Sequence, residues 1–175
     1  AAANGRGEML GGGTRLSRNG QPVHHMTGVS SYATHAVISR RSLVKVDRDL
    51  PLPIAALMGC AVLTGAGAVF NMGAVQPGGR AAVVGLGGVG LAAILGAAAA
   101  GAETIVAVDT LPAKLALAKE LGATHTFEAQ DPDLAAKIKE ATSGGVDAAL
   151  EFAGSARALE AAFAMTRRGG TTITA

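Results

Sequence analysis

Gly85-Leu86-Gly87-Gly88-Val89-Gly90 closes a short apolar run that starts at Arg80, and nineteen residues after the last glycine Asp109 closes a second run, Thr-Ile-Val-Ala-Val-Asp. Glycines at this spacing, followed by an acid at this distance, suit the recognition of a dinucleotide. Gly85 lets the chain turn sharply out of a strand, Gly87 removes a side chain where a pyrophosphate must approach the backbone, and Gly90 lets a helix pack close to the sheet. The unbonded N–H groups of that helix's first turn, and the positive end of its dipole, then face the phosphates. Asp109 can accept both hydroxyls of an adenosine ribose, and its charge repels a 2′-phosphate, so NAD is expected over NADP.

These residues need a βαβ frame, and the chain supplies one. From Arg80 onward apolar runs and helical stretches alternate, with strands expected near 80–85, 103–109, 123–128, 146–152 and 171–175 and helices near 88–100, 112–121, 131–142 and 155–167. That alternation specifies an α/β fold, a Rossmann-like parallel sheet with helices on both faces, of which five strands are visible and the last is missing. The ligand crevice falls at the carboxyl ends of the strands, where the glycine turn and Asp109 both lie. Upstream, residues 1–20 read as irregular, Ser31–Val46 as two short strands separated by Arg40-Arg41-Ser42, and residues 54–75 as helical segments joined at Gly59 or Gly65.

Composition narrows the function classes. The 175 residues carry a net charge of +2, and adjacent basic residues occur only as Arg40-Arg41 and Arg167-Arg168, so no electrostatic footprint for nucleic acid is present. Ala81–Ala102 is twenty-two residues without a charge, long enough for a bilayer. Its four glycines within six positions and the acid that soon follows argue against a spanning helix, and no membrane association is expected. A single cysteine, Cys60, excludes an intrachain disulfide, and a cytoplasmic location is the default. Both ends read as cut, as in a piece of a longer chain.

The blocks Pro22-Val-His-His25, Ser30-Ser-Tyr-Ala33, Met58-Gly-Cys-Ala-Val-Leu-Thr-Gly65, Val75-Gln-Pro-Gly78, the glycine turn, Val108-Asp109 with Lys114, Glu120-Leu-Gly-Ala123, Gly144-Gly-Val-Asp147 and Glu151-Phe-Ala-Gly154 occur in an order that resembles the zinc-dependent alcohol dehydrogenases of the medium-chain dehydrogenase/reductase family. The resemblance implies residues 1–57 as part of a mainly β, GroES-like catalytic domain and 58–175 as an NAD-binding domain truncated at its C-terminal end. It makes Cys60 a catalytic zinc ligand, although a lone cysteine in an apolar stretch is by itself ordinarily a small buried hydrophobe. Thr64 and Val89 would position the nicotinamide ring, Lys114 would bond the adenosine ribose, and Met26 and Thr27 would line the substrate pocket. His24 and His25 are not ligands in the family, and neighbours on an extended strand point to opposite faces. The remaining zinc ligands fall outside these residues, and Cys60 alone cannot hold zinc, which takes three protein ligands in a catalytic site. The implied activity is NAD-linked oxidation of a primary or secondary alcohol to an aldehyde or ketone, in a homodimer or homotetramer whose partner is a small alcohol or aldehyde. A thiol-adduct formaldehyde dehydrogenase of the S-hydroxymethylglutathione type is the enzyme alternative, and a non-catalytic nucleotide-binding module is the alternative of another class.

Overall fold

The structure, a computed structural model, describes residues 5–9, 11–26, 32–72 and 75–175. The chain forms two compact units, Ala1–Arg48 and Asp49–Ala175. The division falls before residue 57, so the helical run that follows Pro51 belongs to the second unit.

The first unit holds an antiparallel hairpin of β1 (Leu16–Arg18) and β2 (Gln21–Val23), with Arg18 opposite Gln21. Asn19 and Gly20 both take positive φ, 51° and 76°, the conformation that a two-residue hairpin turn requires. This corrects the expectation of irregular structure up to residue 20. Conversely, the strands expected over Ser31–Val46 do not form: the described part carries only a 3-10 turn at Arg40–Ser42. Alternating side chains make a strand only where a neighbour is available to pair, and here Val37 and Val44 stand almost fully exposed.

In the second unit one helical run comprises α1 (Leu52–Leu57), a π-helical turn (Met58–Val62) and α2 (Leu63–Asn71). Neither Gly59 nor Gly65 breaks it. Gly65 serves a close approach instead, because a methyl group there would lie 2.1 Å from the Val89 carbonyl oxygen. After the run come β3 (Arg80–Val84), α3 (Gly88–Ala99), β4 (Thr104–Asp109), α4 (Pro112–Glu120), β5 (His125–Glu128), α5 (Leu134–Ala141), β6 (Val146–Glu151), α6 (Ala156–Met165) and β7 (Thr166–Thr174). The five strands form one parallel sheet in the order β5-β4-β3-β6-β7.

Both faces of the sheet are covered, so its inner strands read as continuous apolar runs. Ala81, Val83, Ile105, Ala107 and Leu150 face α2, α3 and α4 through Val69, Ile94, Ala97 and Leu115. Ala82, Val84, Val106, Val108 and Ala149 face α5 and α6 through Leu134, Ile138, Ala162 and Met165. β7 starts at Thr166, directly after α6, rather than at residue 171. Gly169-Gly170 suggests a break, yet Thr166 pairs with Val146 across a register irregularity and the Arg167 guanidinium is bound to Asp147. Those contacts hold the strand in place ahead of the glycines.

The uncharged stretch from Ala81 to Ala102 is divided between β3, a turn and α3, with most of its side chains buried. The run Leu52–Asn71, of mean hydropathy 1.9, is long and apolar enough to cross a membrane by length and composition. Its Gly65 and Val69 are buried.

Candidate nucleotide site

The chain passes from β3 to β4 and β5 on one side, then returns to β6 and β7 on the other, so the strand order reverses beside β3. In a doubly wound sheet the ligand crevice opens at that reversal, beyond the carboxyl ends of the strands. A cleft of about 460 Å³ lies there, lined by Gly85, Leu86 and Gly87 after β3, Asp109, Thr110 and Lys114 after β4, Ala129 and Gln130 after β5, and Phe152, Ala153, Ser155 and Arg157 after β6.

The turn between β3 and α3 is shaped by contacts that exclude side chains. Gly85 has φ +89°, and a Cβ on it would lie 2.6 Å from the Ala153 nitrogen. A methyl on Gly90 would drive into the Gly85 carbonyl, whereas one on Gly87 would meet nothing within 4 Å. The first and third glycines are therefore enclosed by protein, and the middle one faces open space. Gly87 caps α3 without any side-chain hydrogen bond, which leaves the first N–H groups of a twelve-residue helix for an incoming acceptor. A pyrophosphate fits this cradle.

Asp109, 7% exposed, is built into the same turn. Its Oδ2 accepts from the Leu86 N–H at 2.7 Å and its Oδ1 from the Leu111 N–H at 3.0 Å, with Lys114 Nζ 3.8 Å from Oδ2. A carboxylate has about four acceptor positions, so two bonds leave capacity for ribose hydroxyls while fixing the orientation of the group. One side chain thus joins the β3 turn to the β4 end.

The helical run brings Cys60 and Thr64 alongside this turn. A methyl on Gly88 would sit 3.4 Å from Ala61, and Gly65 packs on Val89 and Ala93. Cys60 lies in the π-helical turn and is exposed, as is Thr64. Among the described residues no three His, Cys, Asp or Glu side chains stand close enough to hold a metal. Met26 is 77% exposed in the first unit, and Thr27 lies outside the described residues.

Arg157, Gln130 and Ser155 line the cleft outside every motif of the sequence. Phe152 and Ala153 line it too, from the Glu151-Phe-Ala-Gly154 block, which carries no role in the sequence, and Glu151 is 1% exposed at the end of β6. The general signal for all of these is position: each follows the carboxyl end of a parallel strand. At the opposite end of the sheet, partial burial pushes Asp147 up. Hydrogen bonds from the Arg167 guanidinium and from the Arg80 N–H and guanidinium outweigh this and hold its carboxyl at about 2.

A doubly wound sheet with a glycine turn and a strand-end acid in one cleft defines a dinucleotide-binding type of domain. Residues 88–175 match the family described as zinc-binding dehydrogenase, and the chain belongs to that family, within the medium-chain dehydrogenase/reductase proteins. It is 41% identical over 170 residues to S-(hydroxymethyl)glutathione dehydrogenase of Synechocystis sp., a match covering 96% of this chain and 46% of that protein. It is 43% identical over 169 residues to geraniol dehydrogenase of Castellaniella defragrans, covering 95% and 45% respectively. The structure superposes on an alcohol dehydrogenase zinc-binding domain protein from Burkholderia ambifaria with a TM-score of 0.91 at 40% identity, covering 99% of this chain and 47% of that one. Benzyl alcohol dehydrogenase from Acinetobacter calcoaceticus follows at TM-score 0.83 and 36% identity, covering 93% of this chain and 46% of that one. The chain spans about half the length of the relatives it matches.

Proposed function

We propose that this chain supplies the nucleotide-binding half of a zinc-dependent, NAD-linked alcohol dehydrogenase. The observation that carries the reading is the cleft itself, where an uncapped glycine turn opens beside a buried acid at the carboxyl ends of parallel strands. The turn Gly85–Gly90 holds the pyrophosphate. Asp109 takes the adenosine ribose hydroxyls, supported by Lys114, and its charge disfavours a 2′-phosphate. Thr64 and Val89, brought near each other by the Gly65 contact, set the face of the nicotinamide ring. Bound NAD supplies a hydride acceptor, so an alcohol would lose a hydride from its carbon and a proton from its hydroxyl, becoming an aldehyde or ketone. Cys60 contributes one thiolate toward zinc, whose other ligands come from outside these residues.

The names of the relatives support alcohols as the substrate class. The test is NADH formation by the intact protein with benzyl alcohol, geraniol and S-(hydroxymethyl)glutathione. Strong preference for the thiol adduct would favour the formaldehyde-dehydrogenase reading that the Synechocystis relative suggests. NAD binding without turnover of any alcohol, in an intact protein that retains zinc, would favour a non-catalytic module. The 175-residue chain alone is expected to bind nucleotide weakly and to turn over nothing, because Cys60 is the one zinc ligand that the family resemblance assigns to it and a catalytic site takes three.

A further inference from the structure

Glu151 is a carboxylate buried to 1% exposure at the end of a central strand, and it makes no ion pair among the described residues. A buried polar group of this kind persists only when hydrogen bonds replace its lost hydration. Here Oε1 accepts from the N–H groups of both Ala153 and Gly154 at 2.7 Å, and Oε2 accepts from the Thr174 hydroxyl at 2.8 Å. The side chain therefore curls back over its own strand end and ties down the next two peptide groups. It also links them to the end of β7.

The loop held in this way forms a wall of the nucleotide cleft. Phe152 is pinned to β3 by a hydrogen bond from its N–H to the Val84 carbonyl at 2.8 Å. Ala153, the next residue, presses against Gly85, since a Cβ on that glycine would lie within 2.9 Å of the Ala153 nitrogen, Cα and Cβ. Ala153 also lines the cleft, whereas neither Glu151 nor Thr174 does. The contact sequence runs from Thr174 to Glu151, to the Ala153–Gly154 peptides, to the first glycine of the dinucleotide turn.

We propose that Glu151 is a positioning residue for the cofactor: it sets the distance between the β6 loop and the β3 glycine turn, and so the width of the nucleotide cleft. The proposal deepens the nucleotide-site reading above and rests on it. Replacing Glu151 by Ala leaves the Ala153 and Gly154 N–H groups without their acceptor, and the loop is then free to shift against Gly85. Gln keeps an oxygen able to accept both N–H groups, and the Thr174 hydroxyl can rotate to accept from its amide. Asp is one methylene too short to hold the same three partners at once.

The experiment titrates NADH into the intact wild-type protein and its E151A, E151Q, E151D and T174V variants, following binding by fluorescence and stability by thermal melting. E151A and E151D are expected to weaken NADH binding about tenfold or more. E151Q is expected to stay within roughly threefold of wild type, and T174V to fall between them. Where E151A does not fold, E151D and T174V carry the comparison. Variants that melt lower but bind NADH as tightly as wild type would overturn the proposal and leave Glu151 a purely structural residue. Equal losses in E151A and E151Q would also overturn it, because the acceptor geometry would then not be the operative feature. A folded intact wild-type protein that does not bind NADH would overturn the nucleotide-site reading itself and this proposal with it.

Discussion

Substituting Gly65 by Ala tests whether the helical run bearing Cys60 and Thr64 is registered on α3 by backbone contact. The new methyl would lie 2.1 Å from the Val89 carbonyl oxygen, 2.9 Å from the Ala93 nitrogen and 3.0 Å from the Ala92 Cβ. Two of these atoms are backbone and cannot swing aside. An ordinary carbon–oxygen approach is about 3.3 Å, so α2 and α3 must separate by roughly 1 Å. Overpacking of this kind typically costs about 1–3 kcal/mol, and the neighbouring Gly96–Ala66 and Gly96–Val69 contacts loosen with it. Gly67→Ala is the matched control on the same helix. Its methyl would meet only the end of the Asn71 side chain, at 3.4 Å, and alanine gains up to about 1 kcal/mol of helix propensity over glycine. Thermal melting should therefore place G65A roughly 3–10 °C below wild type and G67A level with it or a few degrees above. In the intact protein G65A should also depress NADH formation more than NADH binding, because Thr64 moves away from the ring while the glycine turn and Asp109 remain. A G65A protein that melts with G67A and retains full turnover would refute the close-approach argument.

Three further outcomes follow from the same geometry. Asp109→Ala removes the proposed ribose acceptor and the acceptor of the Leu86 and Leu111 N–H groups, so NAD affinity should fall tenfold or more; NADP affinity should fall less, because the lost turn contacts are partly offset by removal of a charge that opposes the 2′-phosphate, and isothermal titration with both nucleotides checks this. Arg167 and Arg80 hold the Asp147 carboxyl at about 2 in the folded chain, below its ordinary 3.8, so its stabilisation is complete above about pH 5 and is lost as pH falls through 4 toward 2. The loss should be about 2 kcal/mol in urea melts across that range, and Asp147→Asn should flatten this part of the profile. Cys60→Ser in the intact protein should lower zinc content and alcohol turnover while leaving NADH binding within roughly twofold, a pattern that separates the metal site from the nucleotide cleft.

The doubly wound sheet was legible in the sequence because its physics is local. Strands buried on both faces must be apolar through their middle, as in Ala81–Val84 and Ala148–Leu150, and each is followed by a helical stretch, so pattern and topology are one statement. The misreadings arose where a nearby partner overrides composition. Gly169-Gly170 suggests a loop, but Asp147 captures Arg167 and starts β7 five residues early. Ser31–Val46 has the alternation of strands, but its described part pairs with no neighbour, while Asn19-Gly20 forms a hairpin turn within a stretch whose glycines and polar residues suggest a loop.

The candidate site divides along the same line. Gly85, Gly87, Gly90 and Asp109 announce themselves because each would answer a requirement of the proposed cofactor that a motif can record. Glu151 stands at the same height of the sheet, opposite Val84 in register, but it answers a requirement of the protein, the unbonded N–H groups of its own loop. Such a need arises only once β3 and β6 are neighbours, a pairing between segments more than sixty residues apart. The two strand-end acids therefore perform complementary tasks from opposite sides of β3: Asp109 fixes the outer limb of the glycine turn through the Leu86 N–H, and Glu151 fixes the loop that presses on its first residue. Removing either acid should accordingly weaken binding through the shape of the turn, and the double substitution D109A/E151A should fall short of the sum of the single effects, because both act on the one turn.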